Sequence, residues 1–478
     1  MRLRLFLVVV LLAVPRALAE GLPDLGDIAQ AGFTPLQERR IGESIMREIR
    51  ADRSFYDDAE ATDYINALGN RLALRSPDAR QDFDFFLIRD SQINAFALPG
   101  GFIGVNTGLI LAAQSESELA GVMSHEIAHV TQRHIARMIA NQKQSAVTSI
   151  AAMAAALLLA RVNSQAAEAA AAFGTASAIQ SQLNFTRDNE RDADRVGLQI
   201  LERSGFDPRG MVMFFERLQR ATRIYETGAP SYLRTHPLTY ERIADIQNRM
   251  MGSNYRQVPD SVEFQLIRAK LKAQLDAPGD ALTFFETSLA ERKFLSEAAS
   301  RYGLAATLMR LKNYDRARKE LEAVRKAVPS SPIVETLSCE LAQASAGAQS
   351  ALGCYRDALR TYPSYRALVY AHTNALIQAG QPAAALKVVE ERLQLITDDY
   401  RLYLLQARCY AALDKRLAQS RAQAEAYVRM GNLGAAVEQL QIGLKSGDGD
   451  FYQLSSAEAR MRELRKIDEE LRREARKQ

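Results

Sequence analysis

The chain has 478 residues, 47% of them apolar and 25% charged, with a formal net charge of +4 and no tryptophan. That length predicts two or more domains, and the composition excludes a disordered chain. No basic stripe interleaved with aromatics is present, which argues against nucleic-acid binding.

The opening residues, "MRLRLFLVVVLLAVPRALAE", carry Arg2 and Arg4 ahead of a short apolar run, Leu5 to Val14. The small-x-small trio Ala17-Leu18-Ala19 follows, so 1–19 is expected to be a cleaved export signal and the mature chain to be periplasmic. The run is too short for a spanning helix of about 20 residues.

From 20 to 250 the pattern is that of a mixed domain. Phe83, Phe85 and Leu87 alternate with other residues as in a strand, and Pro99-Gly100-Gly101 separates two further apolar runs as in a hairpin. A small antiparallel sheet is expected, and its strand Phe102 to Val105 is a candidate for pairing with an extended substrate. Ser115 and Glu118 form an S-x-x-E capping box, and the helix it opens is expected to run through about Met138.

That helix contains "SHEIAHVTQRH", three of the chain's five histidines. His125 and His129, four apart, differ by about 40° in direction, so both imidazoles leave one face and can share a zinc ion, with Glu126 beside them. His134 lies about 140° from His129 on a continuous helix and is expected at the surface or in an outer layer. The local third-histidine pattern fails, because Gln132 and Ile135 stand where it needs glycine and histidine. The remaining ligand must come from elsewhere. The uncharged, alanine-rich stretch 146–172 follows, read as a buried or hinge-like helix or as a lid or segment touching membrane or client.

In "FTRDNERDADRVGLQILERSG", Asp188, Arg191, Asp192, Arg195 and Gln199 share one side of a helix, and Ala193, Val196, Gly197, Ile200 and Leu201 the other. Glu190 and Asp194 fall beside the apolar side. Either Glu190 is a ligand with Asp194 bonded to a ligand histidine, or both are boundary acids of an ordinary amphipathic helix; periodicity alone leaves these equal. Gly197 on the apolar side would permit close helix approach.

Residues 260–446 repeat. Ala281, Ala317, Ala351, Ala385 and Ala436 are each followed four residues later by Phe285, Leu321, Tyr355, Val389 and Leu440. The spacing of about 34 residues is that of tetratricopeptide helix pairs, and the last gap has room for an extra helix near 399–413. An α-solenoid with a concave surface is expected. Residues 447–478 are expected to end in a charged capping helix with a thin stripe of Met461, Leu464 and Leu471. Cys339 and Cys354 are the better disulfide pair and leave Cys409 over, although buried thiols in helices explain them equally well.

HEIAH, then Glu190-x-x-Ala193-Asp194, then the run His236-Pro237 to Arg242-Ile243, and "NAFALPGGFIGVNTGLI" ahead of them, resemble the zinc metallopeptidases related to the CAAX prenyl protease and HtpX. Signal, peptidase and C-terminal repeats together resemble the periplasmic branch of that family. The resemblance implies that His125, His129 and Glu190 hold one zinc ion and that Glu126 is the general base. It also implies action on stalled or unfolded outer-membrane proteins, with the outer-membrane barrel assembly machinery as a partner. Zinc would activate water and polarise the scissile carbonyl. His236, its backbone restrained by Pro237, is the candidate oxyanion donor or a resting fourth ligand. The competing function is a chaperone or assembly adaptor with a mainly structural zinc. The fold class expected is mainly α: an α+β peptidase domain followed by the solenoid.

Overall fold

The computed structural model describes residues 34–77, 81–141, 186–224, 231–251 and 258–477. The export signal and the alanine-rich 146–172 stretch lie outside the described residues. Among the described residues, no helix is long and apolar enough to cross a membrane.

Two helices come first, α1 (Pro35–Ala51) and α2 (Ala59–Ala73). Thr34 and Gln37 cap α1 reciprocally ahead of Pro35 at its first turn, and Asp58 caps α2 by accepting from the Ala61 N–H. Three strands follow, β1 (Asp84–Ile88), β2 (Ala95–Leu98) and β3 (Phe102–Asn106). Gly100 and Gly101, at φ 80° and 88°, turn β2 back onto β3 in the expected hairpin.

The sheet is mixed, not antiparallel. Its order is β1-β3-β2, with β1 parallel to β3. The 89–94 link crosses the end of β3 and β2 returns on the far side, so the hairpin slots β3 between the other two strands. This removes β3 as a substrate-pairing edge, because both its sides are already bonded. The outer edge of β1 is also taken: Asn66 bonds both the N–H and the carbonyl of Phe85, and Tyr56 N–H donates to the Leu87 carbonyl.

After the short α3 (Thr107–Ala112) comes α4 (Glu116–Thr131), which carries HEIAH. Ser115 accepts from the Glu118 N–H as expected, but the Glu118 carboxylate turns to the Gln114 N–H and to Arg217, so the capping is one-sided. The helix does not run to Met138. It ends at Thr131, Arg133 takes a left-handed φ of 52°, and a new helix α5 (His134–Asn141) begins. A non-glycine residue there is strained by about 1–2 kcal/mol. Its guanidinium is held by the buried Glu38 of α1, Nε donating to Oε1 at 3.0 Å.

Then come α6 (Arg187–Arg203), α7 (Arg209–Ile224), α8 (Ser231–Thr235) and α9 (Tyr240–Met250). Helix α6 packs along α4, and α7 covers another flank of it.

The rest is a stack of helix pairs: α10 (Val262–Leu275), α11 (Pro278–Ala290), α12 (Glu297–Arg310), α13 (Tyr314–Ala327), α14 (Pro332–Ala346), α15 (Ala348–Thr361), α16 (Arg366–Gln378) and α17 (Pro382–Leu393). The five phased alanines are all fully buried, each on the second helix of a pair. The bulky residues four positions on are buried beside them. The extra helix is α18 (Tyr400–Ala412), followed by α19 (Arg416–Arg429) and α20 (Leu433–Leu444). Helix α21 (Phe451–Lys477) closes the stack; Leu464 is buried against the last pair, while Leu471 is exposed. Cys339 of α14 and Cys354 of α15 form a disulfide within one pair, and Cys409 is a buried free thiol.

The first turn of α2 docks on the stack. Lys270 of α10 reaches Asp58 and Glu60, Tyr365 donates to Glu60, Arg366 pairs with Asp63, and Arg401 pairs with Asp57. These partners come from α10, from the start of α16 and from the extra helix α18, so one face of the stack is filled by the chain's own acidic turn.

Candidate metal centre

His125 and His129 project from one face of α4, and both rings are fully buried. Their Nε2 atoms are 3.0 Å apart. Glu190, one turn into α6, brings Oε2 to 3.4 Å from His125 Nε2 and Oε1 to 3.4 Å from His129 Nε2. His236, just after α8, places Nδ1 3.0 Å from Glu190 Oε1 and Nε2 3.6 Å from Glu126 Oε1. Among the described residues these four form a group able to hold one ion, with ligand atoms within 4.8 Å of one another.

The donor set fits a cation on two counts. Nδ1 of His125 faces Asp194 Oδ1 at 3.0 Å, and an ionised carboxylate only accepts, so the neutral ring keeps its proton on Nδ1 and offers Nε2 as the ligand atom. Without a metal this Nε2 holds a proton between the His129 nitrogen and the Glu190 carboxylate, and a bound cation would take that proton's place. The separations also match the roughly 3.3 Å edge of a tetrahedron with metal–nitrogen bonds of about 2.0 Å.

The electrostatics follow from burial and from these partners. Burial opposes a charge on His125, but bonds to Asp194 and Glu190 outweigh it and push its pKa up to about 9. Burial prevails at His129, whose pKa falls well below the usual histidine value. Burial works against an ionised Glu190, yet His236 and the two α4 histidines hold its pKa well below the carboxylate range. Glu126 is the opposite case. Fully buried, with no side chain bonded to either oxygen, its pKa is raised by desolvation.

The six residues singled out from the sequence therefore lie in one buried cluster: His125, His129, Glu190, His236, Glu126 and Asp194. His134 is not at the surface. The break at Arg133 swings it back under His129, and it is fully buried with Nδ1 3.0 Å from His129 Nδ1.

Two contributors went unread. Arg242, buried on α9, donates Nε and Nη2 to Asp194 at 2.7 Å each, and its Nη1 lies 2.7 Å from Glu190 Oε2. It neutralises the two acids that face the histidines; its place in the His236-to-Ile243 run was the only signal. Tyr232, one turn before His236, stacks on its ring with centroids 4.7 Å apart. Nothing in the local pattern marks it except that spacing.

The approach of α6 to α4 depends on Gly197. A Cβ there would lie 3.0 Å from the Cα and N of His125. Gly197→Ala is expected to push the helices apart and to cost about 1–3 kcal/mol. It should also weaken metal binding, since Glu190 rides on α6. Melting and metal titration test this; unchanged metal affinity would show that α6 can shift without disturbing the cluster.

The Peptidase family M48 description matches residues 59–250. The chain is 34% identical over 454 residues to the "Beta-barrel assembly-enhancing protease" of Escherichia coli (strain K12), covering 94% of this chain and 92% of that one. It is 31% identical over 214 residues to the "Mitochondrial metalloendopeptidase OMA1" of Schizosaccharomyces pombe, covering 44% and 60%. Among solved structures, a tetratricopeptide repeat protein from Parabacteroides merdae aligns at 14% identity and a TM-score of 0.32, covering 54% and 94%. Relatives along nearly the whole length, and a family match that spans every member of the histidine–glutamate cluster, place this chain in peptidase family M48, as a metallopeptidase related to the beta-barrel assembly-enhancing proteases.

Proposed function

We propose that the chain is a periplasmic, zinc-dependent endopeptidase that degrades misassembled or stalled outer-membrane beta-barrel proteins and assists their assembly. Residues 20–250 form the peptidase domain, 260–446 the repeat domain that binds clients or assembly machinery, and 447–478 its cap; 1–19 is the export signal. The observation that carries the catalytic part is Glu126. A buried carboxylate with no side-chain bond and a raised pKa has no structural use beside a ligand cluster, but it suits a general base.

In this reading His125, His129 and Glu190 hold zinc, which when bound supplies Lewis-acid activation of water and of the scissile carbonyl. Glu126 takes the proton from water and passes it to the leaving amine. Asp194 fixes His125 through Nδ1, and Arg242 fixes Asp194. His236, 3.6 Å from Glu126, serves as oxyanion donor or as a resting fourth ligand. Support for the clients comes from the relatives' name and from the repeat stack.

The test uses the purified full chain and an unfolded outer-membrane barrel protein. One zinc per chain and cleavage are expected. Glu190→Gln should weaken zinc binding by more than about 100-fold, since removing only an outer-shell partner costs about 10–100-fold, and cleavage should stop. Cleavage by zinc-free protein would sink the zinc-dependent mechanism, and no cleavage by zinc-loaded protein would sink the peptidase reading. Assembly support from cleavage-dead protein would instead establish an adaptor role.

A further inference from the structure

We infer that His134 is a positioning residue of the metal centre, which fixes His129 in the tautomer that presents Nε2 to the ion. This rests on the reading of His129 as a ligand. Asp192 of α6 stands with Oδ2 3.4 Å from His134 Nε2. A carboxylate only accepts, so the proton of a neutral His134 lies on Nε2 and its Nδ1 is an acceptor. That Nδ1 is 3.0 Å from Nδ1 of His129. His129 must then carry its proton on Nδ1, which leaves Nε2 bare toward His125 Nε2 and Glu190. The order runs from Asp192 through His134 to His129, one imidazole longer than the direct contact of Asp194 with His125.

Two features show that this chain of contacts is built. His134 is fully buried, with its ring edge-on to that of His129 at a centroid distance of 5.0 Å. It arrives there only because Arg133 breaks the helix in a left-handed conformation that Glu38 holds from α1. On an unbroken helix it would lie about 140° away from His129. His134 is not itself in the ligand group, since its Nδ1 meets the ring edge of His129 opposite the one facing Glu190. The acids of α6 therefore divide their work: Glu190 enters the cluster, Asp194 faces His125 Nδ1 at 3.0 Å, and Asp192 faces His134 Nε2 at 3.4 Å.

The experiment measures zinc affinity by chelator competition, the visible spectrum of the cobalt-substituted protein, and melting of the metal-free protein. His134→Leu removes the acceptor and should weaken zinc binding by about 10–100-fold, with a changed cobalt spectrum. His134→Asn keeps an oxygen near the Nδ1 position and should restore affinity to within about threefold of wild type, since the outer-shell bond is what it replaces. Asp192→Asn, at a partly exposed position, should weaken zinc in the same direction and add little to His134→Leu, because both act through one contact. Wild-type affinity in His134→Leu, a His134→Asn loss as large as that of His134→Leu, or full additivity with Asp192→Asn would each overturn the inference. If His134→Leu lowers the metal-free melting point, Asp192→Asn and the Asn rescue decide the matter. His129→Ala separates the two readings: if it keeps zinc affinity, the ligand assignment fails, whereas if it alone loses zinc, only the role of His134 fails.

Discussion

Glu126→Gln is expected to lower turnover of an unfolded client by about 10²–10⁴-fold, the range that general acid–base catalysis contributes. It should leave the zinc content at one per chain. Gln keeps the shape of the side chain and gives up only the ionisable oxygen, and the four residues of the ligand group remain. The same change should stabilise the metal-free protein. A raised carboxylate pKa in the folded state means that the ionised form costs stability at neutral pH, a cost that is absent below the ordinary carboxylate value and grows as pH rises through the folded pKa. Removing the charge should recover roughly 1 kcal/mol, a small part of the cost of a buried carboxylate that accepts no side-chain hydrogen bond and has only the His236 ring 3.6 Å away as a side-chain partner. Single-turnover cleavage, metal analysis and melting after chelation read the three effects. Cleavage within tenfold of wild type would place the base elsewhere.

The paired histidines were legible because four residues on a helix leave no freedom in direction, and five buried alanines in phase leave little doubt about the stack. Glu190 and Asp194 were half legible: a helical wheel shows acids beside an apolar face but not what lies across it. His134 shows where such reasoning stops. Its direction was computed on a continuous helix, and no glycine or proline announced the break at Arg133. What stabilises the break is Glu38, 95 residues earlier in sequence, a contact that local pattern cannot carry. The sheet failed for a related reason. Strands read in chain order suggest sequential neighbours, while the pairing of β1 with β3 is decided by the path of the 89–94 link across the end of β3. Arg242 and Tyr232 follow the same rule, since each acts on a residue fixed by another element.

Lys270→Met is expected to destabilise the chain by roughly 3–5 kcal/mol, the usual cost of removing one partner from a buried ion group. Nζ lies 2.7 Å from Asp58 Oδ2 and 2.7 Å from Glu60 Oε2, with side chains 12%, 18% and 2% exposed. The two acids respond differently to the same cation. Burial raises both, but Lys270 and the Ala61 N–H outweigh it at Asp58, whose pKa is lowered. At the deeper Glu60, burial prevails and the pKa is raised. Burial likewise works against the Lys270 ammonium, and its two acids push its pKa up. The stabilising contribution of Asp58 is thus present above about pH 4 and lost as pH falls through its folded value. That of Lys270 is present below about pH 10 and lost as pH rises through its folded value. Glu60 works in the opposite sense to Asp58 and lightens as acid protonates it. Without the lysine both carboxylates are pushed upward, so the Met variant should recover more stability than wild type does as pH falls from about 8 to 5. Adding Glu60→Gln should recover part of the loss at neutral pH, because it removes the more deeply buried charge. Denaturant unfolding at both pH values measures the difference. A deficit independent of pH would mean that lost packing of the lysine stem, not uncompensated charge, is what holds the acidic turn of α2 on the repeats.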